Sequence, residues 1–120
     1  MNEIIYRIVP SSDWQLTLEN GLVPLGPVDK RDGFVHMSTE QTLIETANLY
    51  FKPANKPMVL EVVVGKLEAE LKWEPAASRG GALFPHLYAE GIPLKAIQAT
   101  IKLEHSEENG FSFGQKKELT

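Results

Sequence analysis

"GFVHMSTEQTLIETANLYF", residues 33–51, changes its hydrophobic period in the middle. Residues 34–37 alternate as a short strand does, and beyond them Leu43, Ile44, Ala47, Tyr50 and Phe51 recur at helical spacing. Ser38 with Gln41 forms a capping-box signature, which predicts a helix start at Ser38 or Thr39. His36 therefore stands just ahead of a helix N-terminus, where free amides and the helix dipole favour anions. The fold class turns on whether such strand-to-helix units repeat along the chain, as a doubly wound parallel sheet requires.

They do not repeat. Upstream, "EIIYRIV" (3–9) reads as a strand that carries Arg7 on a face with apolar neighbours, and "SSDWQLTLENG" (11–21) as a short helix capped by Ser11 or Ser12, with Trp14 inward and Gly21 at its end. "LVPLGPVDKRDG" (22–33) holds two prolines and two glycines and is expected to be a long loop. Downstream, "MVLEVVV" (58–64) is apolar on both faces apart from Glu61, the mark of a central strand. "AELKWEP" (69–75) is a second strand candidate, "AASRGGA" (76–82) a small-residue loop, and "LFPHLYAEGIP" (83–93) an irregular aromatic stretch. Alternation from Ile97 to Glu104 predicts a last, half-exposed strand. The expectation is one α+β domain over residues 1–105, with mixed or antiparallel strands and two short helices. Residues 106–120 are expected to be a loosely held tail.

Composition narrows the function. At 120 residues the chain has the size of one domain. A formal net charge of −4 with no basic block argues against nucleic acid as the partner. No apolar run approaches the ~20 residues of a membrane span, and the N-terminus has no signal-peptide pattern, so a cytoplasmic location is expected. The absence of cysteine excludes disulfides and thiolate chemistry. The three histidines form neither HxH nor HExxH, so no metal site is expected, and neither GxGxxG nor a Walker lysine pattern occurs.

Polar side chains in apolar contexts mark the candidate site. Arg7 on a strand is a rigid anion clamp or an edge-strand ion pair. His36 is a ligand contact or a packed imidazole bonded to a carbonyl. Ser38 suits a helix cap better than a nucleophile, since nothing supplies it with a base. Glu74, between Trp73 and Pro75, is a desolvated carboxylate or a solvated strand-end charge. His86, with Tyr88 in "FPHLY", is a costly polar insertion or a structural plug. A single wet pocket would account for Arg7, His36 and His86 together, whereas separate core sites would need three sets of partners.

The segments "IYRIV", "DGFVHMST", "KWEP" and "LFPHLYAEGIPLKAI", in that order over residues 4–97, resemble a small bacterial family known as a domain of unknown function. Its pattern runs I-Y-H, G-F-I-H-x-S-T, W-E-P and F-P-H-x-Y-G. That family looks like a remote member of the ADP-ribosyltransferase-like superfamily, and is similar to the RNA 2′-phosphotransferases through the segment Val35, His36, Met37, Ser38. The resemblance implies a split, largely antiparallel pair of sheets around a cleft that binds NAD, and ADP-ribosyl or 2′-phosphoryl transfer. It places Arg7 on a phosphate or ribose, His36 on a ribose hydroxyl, Ser38 in an orienting role, Glu74 as the catalytic electrostatic carboxylate, and His86 with Tyr88 in the cleft wall. The chain departs from the pattern at Arg7, where the family more often has His, and at Ala89, where it has Gly. Glu74 also comes earlier than the superfamily's catalytic carboxylate. RNA 2′-phosphate transfer would ask for more cations than Arg7, Lys30, Arg31 and Arg79. Two other classes compete: a non-catalytic module for a nucleotide-like small molecule or a protein, and a structural domain whose histidines only pack. Convergence of Arg7, His36, Glu74 and His86 on one pocket separates the first two classes from the third.

Overall fold

In the computed structural model, which describes residues 3–119, Met58–Val63 buries all six of its residues. Such a strand needs partners on both edges and cover on both faces. Ile4–Val9 (β1) and Ile97–Ser106 (β8) flank it antiparallel as β4, and Gly110–Glu118 (β9) extends the sheet to the order β1-β4-β8-β9. A second sheet joins Val35–His36 (β3), Leu83–Tyr88 (β6) and Glu70–Pro75 (β5) in the order β3-β6-β5. A small ladder pairs Leu22–Val23 (β2) with Ile92–Pro93 (β7). All ladders among the described residues are antiparallel, and the helices are short: Ser11–Asn20 (α1), Pro27–Asp32 (α2) and Leu43–Tyr50 (α3). The protein is thus α+β with antiparallel sheets. No helix among the described residues is long and apolar enough to cross a membrane.

The two larger sheets meet through residues 35–38. His36 pairs with His86 in β6, and the Met37 amide donates to the Pro85 carbonyl at 3.0 Å. One residue later the chain has changed sheets: the Ser38 amide donates to Tyr6 O at 2.7 Å, and Tyr6 N returns a bond to Ser38 O at 2.9 Å. Period-2 alternation sends Val35 and Met37 into the core and turns His36 the other way. The main core lies between the sheets and α1, with Ile5, Trp14, Leu60, Met37, Leu87 and Ile92 among its members. A second cluster, Ile8, Leu43, Ala47, Val59 and Phe111, seats α3.

Three segments differ from the sequence expectation, and the cap before α3 falls at one of its two expected positions. The loop over residues 22–33 contains β2 and a third helix, α2, so the prolines and glycines there act as start and stop signals. Pro27 stands at the helix start, the Gly26 amide donates to Asp29 Oδ2 at 2.8 Å, and Gly33 ends the helix at φ +84°. Residues 83–88 form a regular strand, because Pro85 offers its carbonyl to Met37 beside the end of the β3 ladder, where no amide is called for. The segment read as a loose tail forms β9: Phe111 is buried beneath α3, and its amide donates to Asn48 Oδ1 at 2.9 Å. The cap before α3 is at Thr39, whose amide donates to Thr42 Oγ1 at 3.1 Å, and a 3-10 turn over Glu40–Thr42 precedes the helix. Ser38 is engaged by β1 instead, and Tyr50 lies exposed although its spacing puts it on the apolar face.

Candidate functional site

The seam between the two sheets forms one wall of a cleft of about 940 Å³. β1 brings Arg7, residues 36–38 bring His36 and Ser38, and β6 brings His86. Across from them stand Thr46, Tyr50 and Phe51 from α3 and its end, and residues 75–79 from the β5–β6 connection. Arg79 ties that connection to α3: it donates to Thr46 Oγ1 at 2.8 Å, pairs with Glu45, and lies over the Phe84 ring.

Asp29 organises the near wall. It is 2% exposed, and accepts from Arg7 Nη1 (3.2 Å) and Nη2 (2.5 Å), from the amides of Gly26 and His36, and faces His36 Nδ1 at 2.7 Å. Burial alone would raise its carboxyl, but the His36 hydrogen bond and the Arg7 charge and hydrogen bonds outweigh it and hold the group well below the usual carboxylate range. Arg7 spends its remaining reach on the His36 carbonyl at 2.9 Å, and its buried Nε has no partner. This arginine is a strut between β1, α2 and β3, with Nη1 and Nη2 both committed to protein partners.

His36 is held from both sides. Nδ1 meets Asp29, and Nε2 meets Asp32 Oδ2 at 2.9 Å. Asp32 also accepts from Arg31, and that hydrogen bond, with a smaller one from His36, brings its carboxyl down to about 2. His86 differs. Its Nδ1 lies 2.9 Å from Glu74 Oε1, an oxygen that also accepts from the Tyr88 hydroxyl at 2.6 Å, while Nε2 has no partner among the described residues. The Tyr88 hydroxyl foremost, then His86, lowers the Glu74 carboxyl, which is ionised at neutral pH. Phe34 stacks on the His86 ring at 4.0 Å and 22°, and touches the rings of His36 and Tyr88. Among the described residues no group of three or more His, Asp or Glu is arranged to hold a metal ion.

Of the candidates from the sequence, Arg7, His36, Ser38 and His86 lie on the cleft wall, whereas Glu74 and Tyr88 stand behind His86 and reach the cleft through it. Sequence reasoning missed Asp29, Asp32 and Phe34. The signal for them was the Gly26–Pro27 start and Gly33 stop, which make 27–32 a helix that delivers two aspartates to the histidine beyond it.

Residues 8–109 match the family described as "Protein of unknown function (DUF952)". The chain belongs to the DUF952 family. That match takes in α2 and the strands that bear His36 and His86, and begins one residue after Arg7. This DUF952 chain is similar to protein CC0527 from Caulobacter crescentus. The crystal structure of CC0527 shares 30% identity at a TM-score of 0.80, covering 92% of this chain and 94% of the other. The solution NMR structure of CC0527 shares 31% identity at a TM-score of 0.73, with 90% of each chain covered. Among curated proteins none matches.

Proposed function

We propose that the cleft binds a nucleotide-type ligand, with NAD the leading candidate, on a scaffold of the ADP-ribosyltransferase-like kind. The observation that carries this reading is that His36 and His86, neighbours across the β3–β6 ladder with ring centroids 5.7 Å apart, belong to one cleft where two antiparallel sheets split. The motif resemblance over residues 4–97 supports the same ligand. Phe34 and the imidazoles offer ring faces to a planar base. The phosphate partner on this reading is Arg31, exposed at the rim and tied only to Asp32, since Nη1 and Nη2 of Arg7 are committed to Asp29 and the His36 carbonyl.

Binding, as in a non-catalytic nucleotide module, is the function assigned. ADP-ribosyl or 2′-phosphoryl transfer would need a carboxylate placed at the developing charge. The observation against Glu74 in that role is that its Oε1 is shared by His86 and Tyr88, off the cleft wall.

A calorimetric titration with NAD tests the reading, with His36→Ala beside the wild type. The wild type binds, and the variant binds about tenfold more weakly because the His36 ring face is lost from the cleft wall. Its melting temperature stays close to wild type, because Asp29 keeps Arg7 and two backbone amides. No heat of binding to the wild type would overturn the assignment.

A further inference from the structure

The two cleft histidines sit in the same ladder and are wired oppositely. Both ring nitrogens of His36 face carboxylates, so neither nitrogen is left for a ligand without displacing Asp32. On His86 only Nδ1 is engaged, by a carboxylate that the Tyr88 hydroxyl also anchors. An ionised carboxylate can only accept, so Nδ1 carries a proton, and in the neutral ring Nε2 presents a lone pair. Nε2 is not among the sealed, partnerless atoms of the interior, and its ring lines the cleft. The other charged or titratable groups around this ring are Lys72, its cross-strand neighbour, which lies over the Tyr88 ring, His36 on β3, and Asp32 beyond His36.

We propose that His86 Nε2 is the acceptor by which the cleft selects a ligand carrying a hydroxyl group, with Glu74 and Tyr88 as positioning residues that fix its tautomer. The class of ligand rests on the nucleotide reading above, in which the hydroxyl belongs to ribose. A buried acceptor of fixed orientation discriminates by penalty: a ligand that lacks the donor leaves the lone pair unpaired.

The test has a ligand-free arm and a ligand arm. Diethyl pyrocarbonate acylates unprotonated imidazole nitrogen, and peptide mapping by mass spectrometry resolves the sites. His86 reacts faster than His36, and imidazole 15N chemical shifts place its proton on Nδ1 in the wild type and on both nitrogens in Glu74→Ala. Reaction at His36 ahead of His86 would overturn the proposal with no ligand present. In the second arm, calorimetry compares NAD with analogues that each lack one ribose hydroxyl. One analogue binds the wild type about tenfold more weakly than NAD does, and His86→Phe, which keeps the stack on Phe34, removes that difference. Equal binding of NAD and every analogue by the wild type would sink the acceptor role while leaving the nucleotide reading intact. Failure of the wild type to bind NAD would defeat the nucleotide reading, and with it the ligand class.

Discussion

Asp29 does more for the site than any other residue lining the cleft, because three elements converge on one carboxylate. Arg7 and Asp29 are both taken out of water, so the pair is held by mutual compensation, and removing one partner strands the other. Asp29→Asn is expected to cost about 3 kcal/mol, read as a drop in denaturation midpoint. The pH dependence follows from the depressed carboxyl. Its stabilisation is fully present above the unfolded value of about 3.9 and is lost as pH falls through the lower folded value. The gap in melting temperature between wild type and Asp29→Asn should narrow as the pH is taken below about 4; a constant gap would show that the ion pair contributes nothing. His36 and His86 were legible in the sequence because imidazole among apolar residues is conspicuous. Asp29 was not, since an aspartate in a proline- and glycine-rich stretch looks like any solvated loop residue until the chain folds back on it.

Elements were legible where one period ran undisturbed, as in β1, β4 and α1, and were missed where a local signal had two readings. In β9 the alternation of Phe111 and Phe113 is short, and the register shift between Ile101 and Leu103 in the partner strand hides the pairing. The hairpin is nonetheless part of the core, because Phe111 is 4% exposed among Ile8, Leu43, Ala47 and Val59. Phe111→Ala should cost about 3 kcal/mol, the scale of emptying a large core site, as measured by urea unfolding. A loss below about 0.5 kcal/mol would return the segment to a tail in function if not in form. Elsewhere, Gly91 packs so closely on β2 that an added Cβ would collide with the Val23 carbonyl. Gly91→Ala should therefore loosen the β2–β7 ladder, visible as lost amide protection at Leu22 and Val23.

At the scale of the whole molecule the two larger sheets are unequal. β4 is sealed along its length, whereas β5 has no buried residue and forms an edge of its sheet. Native-state hydrogen exchange should find β4 opening only with global unfolding, and β5 with the β5–β6 connection opening at lower free energy. The Arg79 contacts to Thr46 and Glu45 tie that weaker sheet to α3 along one wall of the cleft. Arg79→Ala should accordingly raise exchange in residues 76–82 while leaving β4 unchanged; equal acceleration in both would mean the sheets open as one unit. Antiparallel α+β architecture was readable from the chain because strands outnumber helices and no βαβ rhythm appears. The split itself was implied only by the motif resemblance, because no property of single residues records that a strand changes partners partway along.

That change of partners has a consequence for chain length. Residues 35–38 are stitched to β6 at one end and to β1 at the other, with neither ladder free to slide. Inserting or deleting one residue there would reverse the pleat, turning Val35 or Met37 outward and His36 into the core, or else tear one of the two stitches. Side chains in this stretch can be exchanged one at a time, but the count between the stitches cannot drift. Connections such as residues 24–26 and 76–82 can absorb such changes at their surfaces, and the seam cannot.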